Sequence, residues 1–481
     1  MTAMRRRSFI RVAASTAAAS WLPLRRGAAF RSLEPDLRLV LRGGRWHDGA
    51  AWRGDDIGVD AAGRIRLGFG LAGREALALE GRIVSPGFID VLADNSDDPA
   101  RTFPIFEKYK LGDGVTTALQ MHGGSAACAG YYAELGAAPH RINWGASTSV
   151  MRVRGRVQDL AARRALVERN LAEGALGVSH SLEYQPTPYP ETLDYARLAA
   201  RYGRPFFLHL RYSSAQRELD GVAEAIRLAR ESGAHVHIDH LHSTGGTWHM
   251  AEALDLIRSA IAGGARLTTC VYPYSYWATY LYSRRFDAGW QRRFGLDYAD
   301  LRVVGTGERL TAASFARYRK TGVLVAVPEG TMPFERTFDL ALREDFCLIG
   351  SDGGIQSEPR ANSHPRGAGC FATAIRRALD RGMPLERILG KMTTLPRQVL
   401  GGPLAERGAI AEGALADLTV FDPAAIRGNA TLEDPNRMSS GITLVLVGGA
   451  RAIHEGRPAD ANGMAIRCPA TDVRRIATRN T

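Results

Sequence analysis

At 481 residues the chain is too long for one small domain, and its 45% hydrophobic content without an 18-residue apolar run excludes a stable membrane span. The formal charge of +12 rests on arginine, since lysine occurs only at positions 108, 110, 320 and 391. These basic residues are dispersed, with no basic block and no interleaved aromatic motif, which argues against nucleic acid as a partner and leaves a positive field suited to small anionic molecules.

Arg5, Arg6 and Arg7, then Phe9 and the mild apolar run VAASTAAASWLPL, have the order of a twin-arginine export signal. Residues 1–30 are expected to be that signal, with the mature protein starting between Ala28 and Glu34 and residing in the periplasm or outside the cell. From residue 35 to 84 short β-prone runs alternate with glycine turns (LRLVLRGGRWHDG, DIGVDAAGRIRLG, ALALEGRIVSPG). The same texture returns across 407–468, in RGAIAEGALADLTVFDP and ITLVLVGGARAIHEGRP. Both chain ends are therefore expected to form one small β-sandwich.

Between them, over 85–406, strand candidates alternate with helical patterns: IVSPGFIDVL, VTTALQM, INWGAS, ALGVSHS, PFFLHL, HVHIDH, RLTTCVY and FCLIGSD. Eight such units close a (β/α)8 TIM barrel, an α/β fold whose chemistry sits at the carboxyl ends of its strands. The stretch near 280–340 is too long for one βα connection and predicts an insertion or lid, with helical spacing in AGWQRRFGLDYADLRVV and TAASFARYRKTG. The five cysteines form no CxxC pair, so no disulfide framework is expected.

The most informative stretch is 205–245, where FFLHL and VHIDH flank the amphipathic DGVAEAIRLARESG. In a parallel barrel His209 and His240 would converge, and two convergent imidazoles suit a metal. Asp352, closing the apolar run FCLIGSD, supplies the carboxylate that serves as general base in metal-assisted hydrolysis.

The ordered set SPGFID (85–90), GVTT (114–117), GALGVSHSLEY, FFLHLR, HIDHLH, the YPY from Tyr272, SDG (351–353), HPR (364–366), MTTLPRQVLG and ALADLTVFDP resembles the amidohydrolase superfamily, and within it the N-acyl-D-amino-acid deacylase family. The resemblance implies zinc at His209 and His240, Asp352 as catalytic acid/base, and Arg366 as receiver of a substrate α-carboxylate. It also implies hydrolysis of the N-acyl bond of an amino acid, of D configuration, as a small-molecule substrate, which together with the amino-terminal signal makes an exported enzyme the expectation. Two departures stand out. The His-x-His that normally follows the first strand is replaced by Leu92 and Asp94, and the family's cysteine ligand falls at Gly123, with His122 just before it.

A site for one zinc ion per chain is therefore expected, its third ligand being His122, or else Asp94 or His180. His180 could equally donate to the scissile carbonyl or pack as a strand-end residue. His242 is a further substrate-contact candidate, as are Tyr272, Tyr274, Tyr276 and Trp277, which could line an acyl pocket or form an aromatic core patch. Loss of the first-strand ligands also motivates a rival, an inactive periplasmic binding protein on the same fold. Hydrolysis of a cyclic amide or dipeptide would keep the chemistry and change the substrate.

Overall fold

A computed structural model describes residues 37–94, 96, 98–354, 364–459 and 462–470. The expected export signal lies outside the described residues.

Eight parallel strands form the barrel sheet in chain order: β1 (Phe88–Asp90), β2 (Val115–Ser125), β3 (Asn143–Ser149), β4 (Val178–Ser181), β5 (Phe206–His209), β6 (Val236–Ile238), β7 (Leu267–Val271) and β8 (Cys347–Ile349). Each overlaps its predicted run, though β2 and β3 continue past theirs, VTTALQM and INWGAS, to Ser125 and Ser149. Strand alternation sorts side chains into two layers. Phe206 and Leu208 pack outward with the helices, while Ile89, Val91, Leu119, Met121, Phe207, Cys270 and Leu348 fill the barrel interior. Between β8 and β1 the sheet is joined by the backbone that follows: Ser351 N–H donates to Asp90 Oδ1 at 3.0 Å and Gly353 N–H to the Leu92 carbonyl at 3.0 Å. Behind that seam Lys110 Nζ stands 2.8 Å from Asp90 Oδ2 and 2.7 Å from Ser351 Oγ, with Lys110 and Asp90 both buried.

The chain ends build two further sheets. A four-stranded one has the order Ile65–Gly68, Asp56–Asp60, Leu37–Arg42, Gly73–Ala78. In a seven-stranded one, the C-terminal Leu418–Phe421 pairs antiparallel with the N-terminal Ile83–Pro86. Their facing residues, among them Leu39, Trp46, Val59, Ile65, Val84, Val420 and Leu446, share one core, as packed sheets do.

The insertion between β7 and β8 carries a three-stranded sheet (Ala278–Tyr280, Leu324–Ala326, Arg302–Val303). Helix Ala312–Thr321 fills the second helical pattern, started by a Thr311 capping box and ended by Gly322 at φ 79°. The first pattern is broken up: Trp290–Phe294 is α-helical, Gly295 turns left-handed at φ 66°, Tyr298–Asp300 forms a single 3-10 turn, and Arg302–Val303 joins the small sheet. No helix among the described residues is long and apolar enough to cross a membrane.

Candidate active site

Three imidazoles meet at the mouth of the barrel, and each arrives by a different backbone device. His209 comes by simple alternation, two positions after the interior Phe207 on β5. Alternation in β6 would turn Asp239 inward rather than His240, but the strand ends at Ile238 and His240 adopts φ 27°, which swings its ring into the mouth. On β2 the pairing with β3 shifts: Gln120 opposes Ala146 and Ser125 opposes Thr148, so the bulged segment carrying His122 is re-aimed. The candidate ligand atoms of His122, His209 and His240 all lie within 4.8 Å of one another.

Every ring has one nitrogen held by a neighbouring side chain. His122 Nδ1 is 2.7 Å from Asp239 Oδ2, His209 Nε2 is 2.9 Å from Glu183 Oε2, and His240 Nδ1 is 3.0 Å from Ser243 Oγ. His209 Nδ1 is buried without a hydrogen-bond partner. Such outer partners fix ring orientation in metal sites. Burial pulls His209 down to about 4 and, with the neighbouring rings, takes His240 well below the usual imidazole range. For His122 burial acts downward as well, but the Asp239 carboxylate outweighs it and the value is raised. Three convergent imidazoles, two of them buried and held toward the neutral form and one with an otherwise orphaned nitrogen, fit a divalent ion.

Asp352 follows β8 at φ 48°, a strained conformation for a residue with a side chain. Its Oδ2 lies 3.8 Å from His240 Nε2 and 2.8 Å from a terminal nitrogen of Arg366. Arg366 opens helix Arg366–Asp380, is buried, and stacks its guanidinium 4.8 Å over the Tyr272 ring. These groups face a cavity of about 500 Å³ whose outer wall is aromatic: Tyr184 from after β4, and Trp277, Tyr280 and Tyr282 from the insertion.

The other predicted residues divide between the cavity wall and places away from it. Asp94 accepts from Gln120 Nε2 at 3.3 Å and from Ser96 N–H at 3.0 Å, and is not among the converging groups. His180 shares the outward parity of Val178, bonds Thr187 Oγ1 at 2.7 Å, and is pulled by burial to about 3; its neighbour Ser181 lines the cavity instead. His242 is fully buried against Tyr272, ring centres 4.1 Å apart. Tyr272 and Trp277 line the cavity, whereas Tyr274 and Tyr276 pack on His364, whose Nδ1 accepts the Arg366 backbone N–H. Leu92 belongs to the barrel interior.

Sequence reasoning did not single out the cavity-wall residues Tyr184, Tyr280 and Tyr282, nor the supporting residues Glu183, Asp239, Ser243 and Arg285. Asp239 and Glu183 stood in view as the acidic residues of HIDH and SHSLEY, each beside a strand-end histidine. Arg285 carried no comparable signal.

No model of a protein family matches the chain. The chain is 29% identical to the N-acyl-D-glutamate deacylase of Alcaligenes xylosoxydans xylosoxydans, over 90% of its own length and 97% of that protein. Its structure superposes on that of N-acyl-D-glutamate deacylase from Bordetella bronchiseptica, complexed with zinc and a phosphonate mimic of the tetrahedral intermediate, with TM-score 0.75, 27% identity, and 90% and 100% of the two chains covered. The chain belongs to the amidohydrolase superfamily. Within that superfamily its kin are the D-aminoacylases: a D-aminoacylase structure described for its binuclear metal centre, with one-metal activation and second-metal attenuation, matches with TM-score 0.76 and 25% identity over 89% and 99% of the chains. This amidohydrolase is accordingly a metal-dependent hydrolase of a non-peptide C–N bond, with a three-histidine cluster suited to the ion.

Proposed function

We propose that this amidohydrolase is a zinc-dependent deacylase that removes the acyl group from an N-acyl-D-amino acid, using one ion held by His122, His209 and His240. The observation that carries the reading is the meeting, in one cavity, of three convergent imidazoles, a carboxylate and a buried guanidinium. A zinc ion bound there would supply Lewis-acid polarisation of the amide carbonyl and acidify a water molecule. Asp352 Oδ2 takes the proton of the attacking water and returns it to the leaving nitrogen, a transfer its place at the edge of the histidine cluster allows. Arg366 receives the α-carboxylate through its planar fork, exchanging part of its contact with Asp352 for the substrate. Trp277, Tyr280 and Tyr282 cover the acyl chain and keep bulk water out.

A hydrolysis screen of zinc-loaded protein over matched N-acyl-D- and N-acyl-L-amino acids tests the reading. Release of the free D-amino acid is expected; turnover of neutral cyclic amides alone would replace it.

Export through the twin-arginine route is part of the same proposal, supported by Arg6, Arg7 and Phe9 ahead of the alanine-rich run. Changing Arg6 and Arg7 together to lysine should hold the protein in the cytoplasm on fractionation, and unchanged distribution would remove the export step.

A further inference from the structure

Arg285 lies in the short turn Arg284–Phe286 of the insertion, with only 3% of its side chain exposed. Its Nε donates to Glu183 Oε2 at 2.9 Å, and one terminal nitrogen donates both to Ser213 Oγ at 2.8 Å and to the Ser243 carbonyl at 2.7 Å. The guanidinium also lies 4.5 Å over the Trp277 ring, so packing and hydrogen bonds leave it one orientation.

What Arg285 holds is what orients the histidines. Glu183 Oε2, which receives the Arg285 Nε–H, is the same oxygen that engages His209 Nε2, and Ser213 Oγ donates to it at 2.7 Å. Ser243, whose carbonyl Arg285 grips, places its hydroxyl 3.0 Å from His240 Nδ1. Rotation of Glu183 would release the His209 ring, and drift of the turn Leu241–Ser243 would release the left-handed His240. A single side chain from the insertion thus reaches the supports of two rings on adjacent barrel strands.

We infer that Arg285 is a positioning residue for the metal centre, fixing the acceptor and the turn that aim His209 and His240 at the ion. The inference rests on the reading that these two rings and His122 bind it. It adds that the insertion, besides walling the cavity, completes the site from outside the barrel.

The test uses the full-length protein stripped of metal, titrated with Zn²⁺ against a competing chelator, and the visible absorption of its Co²⁺-loaded form. Arg285→Lys keeps a positive charge but cannot span Glu183, Ser213 and Ser243 together. It should bind zinc 10–100-fold more weakly, the usual cost of losing a partner behind a metal ligand, and shift the Co²⁺ bands. Arg407→Met breaks another buried pair, with Asp417 at 2.9 Å, and should bind both ions as the wild type does. Where Arg285→Lys does not fold, Arg285→Met combined with Glu183→Gln removes both charges of the pair and should show the same weakening. Zinc affinity within twofold of wild type in a folded Arg285 variant overturns the inference, as does equal weakening in Arg407→Met. Failure of both Arg285 variants to fold assigns the residue to the fold and overturns it too. Wild-type protein that takes up neither ion overturns the three-histidine reading itself, an outcome distinct from tight wild-type binding that Arg285→Lys leaves unchanged.

Discussion

The barrel mouth has two sides that end in polar residues and use them differently. On the side of β2, β5 and β6, His122, His209 and His240 converge, each with one nitrogen held by Asp239, Glu183 or Ser243. On the seam between β8 and β1, the polar groups close on themselves: Asp90 with Lys110 and Ser351, Asp94 with Gln120 and Ser96. Leu92 between them joins the apolar interior. The first side offers donors to an ion; the second uses its charges to hold together a seam that no strand pairing spans. Strand ends of equal kind can thus serve coordination or closure.

The comparison breaks most sharply at a ligand. His240→Ala should lower bound zinc from about one per chain to near zero by elemental analysis and abolish turnover, since two imidazoles do not complete a site. Asp352→Asn should cost roughly 10²–10⁴ in kcat, the span of general acid–base catalysis, while zinc content stays near wild type; retained turnover would remove Asp352 from its role. On the seam, Lys110→Met leaves Asp90 buried and unpaired, and should destabilise the fold by about 3–5 kcal/mol in denaturant unfolding. Zinc per folded chain should be unchanged there, and its loss would show that the two sides are not independent.

Smaller effects sharpen the picture at the join between the sides. Arg366→Lys retains charge but loses the fork, and should weaken capture of N-acyl amino acids by about 1.5–3 kcal/mol in kcat/KM. Neutral N-acyl amide analogues should be affected much less, and equal slowing would make Arg366 a support of Asp352 only. The smallest effect concerns pH. Burial acts to raise the Glu183 carboxyl, but Arg285 and then His209 pull it down to about 2 from an ordinary 4.5. A lowered folded-state value means that stability is fully present above pH 4.5 and is lost as pH falls toward 2. The fall in Tm of the metal-free protein from pH 5 to 3 should be shallower in Glu183→Gln than in wild type.

Much of this was legible because alternation in short strands is a local property. FFLHL announces both that Phe206 and Leu208 pack outward and that His209 ends an inward row, and the eight strand runs could be read the same way. The same parity shows why His180 does not reach the cavity: it shares its face with Val178. His122 and His240 escape parity, one through a bulge opposite β3 and the other through a left-handed turn, and neither device has a sequence signature as strong as the alternation it interrupts. Arg285 was beyond reach for another reason. Its partner Glu183 lies 102 positions away, and nothing local in the insertion says where its turn will land.

The pairing of Leu418–Phe421 with Ile83–Pro86 bears on how the protein is made. Ile83–Pro86 ends one residue before β1, and Asp417 ties the two ends together, its carbonyl accepting the Gly87 N–H at 2.7 Å and its carboxylate the Asn143 side chain at 2.8 Å. During synthesis the strand that leads into the barrel therefore waits, with an unpaired edge, while more than 300 residues emerge behind it. Pairing of such high sequence separation folds slowly. The nascent chain should stay protease-sensitive at residues 37–86 until the ribosome has passed Phe421, then gain protection in a single late step.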